Sequence, residues 1–249
     1  MRVRRVAGRP VGWRTLLLAA AGSLLIGVGA AGMIRAAVGV TPWDVLTTAV
    51  ARHTSLTVGG AGAALSILVY LLCAPFGRLP GWGNVVILVG VSVAVDAALA
   101  AIGEPDLLVL RLLLYAVSVV ALCLAVALVV RADIGVGPLE MVMLVATDRS
   151  VPLVRARVVI EITTLTIGWL LGGALGVGTA GFALAAGPLI AGSLRLLDRL
   201  AGPVPAPPGR AAAGRSGARG EELEAGDRQV AQHGEGDRHH GPDRQRPAG

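Results

Sequence analysis

The amino-acid sequence predicts an all-α membrane protein: six transmembrane helices arranged as two inverted three-helix repeats, each with a short re-entrant or interfacial helix after its first span. Three observations predict it. Hydrophobic residues make up 54% of the 249 residues and charged ones 15%, with a mean hydropathy of +0.71, which is more apolar surface than one soluble core can bury. Six apolar runs approach the roughly 20 residues that a helix needs to cross hydrocarbon. The segment Gly39 to Leu46, GVTPWDVL, recurs 96 residues later at Gly135 to Val142 as GVGPLEMV. Each copy follows an apolar run that ends in an arginine, Arg35 or Arg131. Three spans per half is an odd number, so the second half must enter from the opposite side, the arrangement of inverted-repeat transporters.

Residues 1–14 form a basic, cytoplasmic N-terminus with Arg2, Arg4, Arg5, Arg9 and Arg14 and no acid. Residues 15–102 hold the first repeat, with expected spans at Thr15 to Ile34, Leu56 to Phe76 and Asn84 to Ile102. Residues 103–200 hold the second, with spans at Leu107 to Val130, Pro152 to Leu171 and Gly178 to Leu197. The fifth span is the least apolar, because Arg155, Arg157 and Glu161 lie in its first turns. A glycine pattern from Gly81 to Gly90 also matches Gly178 to Gly187, offset by 97. Residues 201–249 are expected to be a disordered cytoplasmic tail, since seven arginines balance seven acids there and large aliphatic residues are few.

Charge sets the orientation. With the N-terminus inside, twelve arginines fall on cytoplasmic segments (the first five, Arg78, Arg131, Arg149, Arg155, Arg157, Arg195 and Arg199) against three outside (Arg35, Arg52 and Arg111). That bias places both termini in the cytoplasm. The net charge of +6 is therefore read as membrane orientation, and no nucleic-acid partner is expected. Cys73 and Cys123 lie in apolar runs and suggest small buried hydrophobes. His53 is the sole histidine before residue 200, so neither a Ser/His/Asp set nor a metal set can be assembled there. The chain is expected to be no enzyme and to need no cofactor.

Chemistry concentrates in the repeated segments. Thr41, Pro42, Trp43 and Asp44 fit a helix start, with Thr41 as N-cap, Pro42 at the first helical position and Asp44 reaching back. Gly137, Pro138, Leu139 and Glu140 take the same places. Asp44 and Glu140 then cap short helices; if these enter from opposite faces, the two acids line one pocket for a proton, a cation or a polar solute. Glu161 is a further pathway candidate because Thr164, Gly168 and Gly172 follow it along one helical face; pairing with Arg157 and a small-residue packing seam are its structural alternatives. Asp96 in the third span awaits either a partner across the bundle or the outer interface. Arg35 and Arg131 fit snorkelling to the interface as well as solute binding.

The segments RAAVGVTPWDVL and RADIGVGPLEMVML, with the run RARVVIEITTLTIGWLLGGALGVGTAGFALAAGPLI, resemble the YczE-like, YitT-related family of bacterial integral membrane proteins over residues 15 to 200. The resemblance implies a multi-pass protein of the bacterial plasma membrane and carries no catalytic residue. Matching positions are Gly39, Pro42, Trp43, Asp44, Gly135, Gly137, Pro138 and Glu140; Thr41 stands where the family more often has glycine. Two functions remain open. One is a small secondary transporter or exporter of a small solute, with proton-sensitive acids. The other is an accessory membrane protein that docks on a partner, whether a second copy or another membrane protein.

Overall fold

A computed structural model describes residues 13–133 and 135–201. The basic N-terminus before residue 13 and the tail beyond 201 lie outside the described residues, as do His233, His239 and His240. Among the described residues every regular element is helical. In order these are α1 (Trp13–Ala36), α2 (Pro42–His53), α3 (Val58–Cys73, continued by a 3-10 turn at Ala74–Phe76), α4 (Trp82–Ala101), α5 (Leu108–Ala132), α6 (Pro138–Thr147), α7 (Leu153–Leu170) and α8 (Val177–Ala201).

Among the described residues, five helices are long and apolar enough to cross a membrane: α1, α3, α4, α5 and α8. The sixth expected span, α7, does not join them. It has 18 residues and carries Arg155, Arg157 and Glu161, more charge than hydrocarbon accepts without compensation. The short helices α2 and α6, of 12 and 10 residues, reach about 18 and 15 Å, half of a hydrocarbon core.

The centre of the molecule is the crossing of α1 with α5 and α4. In lipid, apolar helices gain little by touching unless small residues let their backbones approach. Gly29 of α1 faces the Leu122 Cβ and the Ser118 carbonyl of α5, with room for a Cβ only at 3.0–3.1 Å; on another face, a Cβ on Gly27 would run into Ala94 and the Val91 carbonyl of α4. Ala30, Met33, Val95, Val119, Leu122 and Cys123 are buried at this crossing. Around it, α8 packs on α5, α3 on α4, and α2 on α3 and α7, while α6 packs on α3 and α7. Exchanging the helices of the first half for those of the second turns α1–α4 packing into α5–α8, α2–α3 into α6–α7, and α2–α7 into α6–α3. One contact breaks the correspondence: α3 packs on α4, whereas α7 and α8 have no packing of that extent.

Candidate functional site

Each motif is a turn that leads from the end of a long helix into the head of a short one. Ala37 after α1 and Asp133 after α5, 96 positions apart, both hold left-handed backbone, φ 53° and 50°, an uncommon conformation for residues with a side chain. The chain then crosses the head of a helix from the other half. Val40 N donates to Thr179 Oγ1 at 3.1 Å and Gly178 N to Val38 O at 2.9 Å, fixing the first motif on α8. Asn84 Nδ2 donates to Val136 O at 2.6 Å, as does the Tyr70 hydroxyl at 3.1 Å, fixing the second motif on α4. Packing thus pairs Gly83–Asn84 with Gly178–Thr179, 95 positions apart, two residues away from the register of the glycine pattern.

The two helix heads solve the same problem with different side chains. In α2 the Thr41 hydroxyl accepts from Asp44 N at 3.1 Å and donates to Asp44 Oδ2 at 2.7 Å, so threonine and acid hold each other at the first turn. In α6 the cap is Gly137, which has no side-chain hydrogen bond to offer. The Glu140 carboxylate instead folds over the space that a Gly137 Cβ would take.

Asp44 and Glu140 line the same cavity, of about 390 Å³. Its walls come from α1, α3, α4 and α5, through Ile26, Ser66, Val91 and Val126 among others. Along α3 it runs from Val58 to Tyr70, a rise of about 18 Å. Asp133 is a third acid on its wall, and no arginine or histidine among the described residues lines it. Asp44 is 9% exposed. Desolvation pushes its carboxyl up to about 6, against the opposing effect of the hydrogen bonds from Thr41. Glu140 lines the cavity with an exposed side chain; desolvation raises its carboxyl too, against the hydrogen bond from its own backbone and the Arg157 guanidinium.

The other candidates are elsewhere. Asp96 caps α3, accepting from Thr57 Oγ1 at 2.7 Å and from Gly59 N at 2.8 Å; it is a tie between α4 and α3. Glu161 accepts from Arg157 Nε at 2.9 Å, one turn away, and does not line the cavity. In its stripe, Thr164 bonds back to the Ile160 carbonyl and Gly168 lies against the Leu46 backbone of α2. Gly172 is no part of that face: it lies beyond the end of α7 with φ 74°. Arg35 reaches Glu104 at 2.7 Å and the Leu99 carbonyl, and Arg131 reaches Asp198. Both thus bind the far end of a neighbouring helix, α4 or α8.

Several contributors were not singled out in the sequence. Asn84 is the only asparagine in the chain and Tyr70 one of two tyrosines; polar groups that rare within apolar runs were the available signal. Thr179 and Asp133 carried none that separates them from ordinary helix-end residues.

Fold and cavity together define a polytopic α-helical membrane protein whose two sequence repeats converge on one acidic chamber. The chain belongs to the Family of unknown function (DUF6198), whose model matches residues 13–194. It is 26% identical over 179 residues to an uncharacterized protein of Haemophilus influenzae, covering 71% of this chain and 81% of the relative. It is 27% identical over 160 residues to the uncharacterized membrane protein YczE of Bacillus subtilis, covering 64% and 74%. The YczE-like resemblance is thereby borne out. No solved structure matches the chain.

Proposed function

We propose that this protein is a small secondary transporter of the bacterial plasma membrane, built from two inverted three-span repeats, with both termini in the cytoplasm. The observation that carries the proposal is the common cavity of Asp44 and Glu140. Two acids 96 positions apart in a repeat, brought to one chamber by half-length helices, suit the site of an inverted-repeat carrier. The matched exchange of helix contacts supports the repeat. As the sixth span, α7 keeps Arg155 and Arg157 in its first turns, near enough to the cytoplasmic interface to snorkel. Val154, Val158 and Ile162, one turn apart, are exposed along its outer face, as a lipid-facing stripe would be. Protons serve as coupling ions through carboxyls whose neutral form burial favours.

An accessory protein would offer a small-residue seam, such as that of Gly168 on α7, to a partner. Gly168 of that seam is already filled by α2, which favours transport over docking.

Cysteine accessibility tests the proposal. Cysteines at positions 44 and 140, on a background lacking Cys73 and Cys123, are expected to react with impermeant thiol reagents in a manner that depends on a proton gradient. Labelling of each from one fixed surface, unchanged by any gradient, would make both acids interfacial caps and remove the transport reading.

A further inference from the structure

The cavity has a chemical bias that narrows its occupant. At about 390 Å³ it falls in the size range of pockets for drug-sized ligands and is far too large for a bare ion. Most of its wall is aliphatic, with Ile26 of α1, Val91 and Val95 of α4, and Leu122 and Val126 of α5 as its belt. Hard cations need about six oxygen ligands, and a belt of this kind cannot supply them. Nor does the wall suit an anion or a neutral sugar. All three described charged residues that line it are acids; the Arg157 guanidinium acts on Glu140 from outside the cavity and is itself bonded to Glu161. The basic residues beside the motifs, Arg35 and Arg131, are engaged at helix ends. An aromatic side chain stands near each head on the wall, Trp43 of α2 by Asp44 and Tyr70 of α3 at the Glu140 end, and aromatic faces attract organic cations.

We infer that the cavity binds a hydrophobic organic cation, of the quaternary ammonium or phosphonium class, with its charge at Glu140 and its apolar body along the Val91 to Val126 belt. The inference rests on the transport reading for its purpose but not for its test, which reads binding alone. When Glu140 is protonated, entry of the cation releases one proton, so the charge of the chamber is the same with either occupant.

The experiment uses the full chain in lipid nanodiscs, with protein-free discs as the blank, and two probes of one shape and opposite charge, tetraphenylphosphonium and tetraphenylborate. Saturable phosphonium binding is expected, about tenfold or more tighter than borate binding. Glu140→Gln should weaken it by about tenfold or more, and Val126→Trp, which fills the belt, should abolish it, both in protein that elutes and melts as a folded species. Glu104→Gln, at an exposed helix end outside the cavity, should leave it unchanged. Equal binding of the two probes, or phosphonium binding indifferent to both cavity variants, overturns the inference. If phosphonium fails to bind while cysteines at 44 and 140 still respond to a proton gradient, the cation assignment falls and transport stands; if neither occurs, both fall.

Discussion

Gly39 and Gly137 occupy related turns, yet they answer to different constraints. Gly39 has φ 154°, and a Cβ there would run into the backbone of Gly178 and Thr179, which cannot move without unseating α8. Gly39→Ala is therefore expected to lower the amount of folded protein severely, by more than the 1–3 kcal/mol or so of ordinary overpacking. Folded yield after detergent extraction measures it. At Gly137 the obstacle is the flexible end of Glu140, so Gly137→Ala should fold and shift only the carboxylate. Melting near the wild-type temperature, with an altered rate of Glu140 modification by a carboxyl-directed carbodiimide, would bear that out. Asp44 gives the residue scale its pH dependence. Its carboxyl is raised from 3.8 to about 6, so the unfolded chain loses the proton first as pH rises. Stability is then highest below about pH 4, falls as pH rises through 6, and levels off above, a difference of roughly 2–3 kcal/mol. Melting of the wild type in detergent should fall between about pH 4 and 6.5 more steeply than that of Asp44→Asn. Parallel curves for the two proteins would count against a desolvated carboxyl at this position.

At the scale of elements, the long helices were readable because hydropathy alone decides them: α4 and α5 begin and end within two residues of the expected spans. The short helices were readable from chemistry, since Thr41 and Pro42 mark a start whatever surrounds them. The status of α7 was less so. Its charges argue against a span, while its exposed valines and isoleucine argue for one, and a count over the helix cannot tell which face each residue takes. The cavity itself was legible only as a possibility, because the pairing of Asp44 with Glu140 depends on how α2 and α6 dock, and their docking partners Asn84 and Thr179 belong to no motif. Gly168 tests the docking directly. A Cβ there would lie 2.6 Å from the Leu46 backbone nitrogen, so Gly168→Leu should part α7 from α2 and destabilise the chain by about 2 kcal/mol or more, read as a lower melting temperature with no partner present. The bidentate pair of a half-buried Arg78 with an exposed Asp148, both bonds at 2.8 Å, should matter less: Asp148→Ala is expected to cost about 1 kcal/mol, and less in high salt.

For the whole molecule, the informative feature is the contact that lacks its counterpart. If the halves are inverted repeats, a fully symmetric arrangement would treat the two membrane faces alike, and a carrier must not do that. Here α3 is packed on α4, with Gly59 against the Ser92 carbonyl, while the equivalent pair, α7 and α8, is parted around a second cavity of about 430 Å³ that Leu165, Ala180 and Ala183 help to line. Under the proposed transport function, the other state of the cycle would follow by exchanging the roles of the repeats, with α7 closing on α8 and α3 leaving α4. The two arrangements must lie within a few kcal/mol of one another for a ligand to shift between them. A cysteine pair made by Leu165→Cys and Ala183→Cys, on the Cys73- and Cys123-free background, reports this motion across the parted side. Its cross-linking yield should be low in the resting protein and should rise when a proton gradient is imposed. A pair made by Thr57→Cys at the head of α3 and Asp96→Cys on α4, whose native side chains touch at 2.7 Å, should change in the opposite sense. Movement of one pair alone, or of both in the same sense, would mean that the missing α7–α8 contact is a fixed asymmetry of the fold, and alternating access by exchange of the repeats would be wrong.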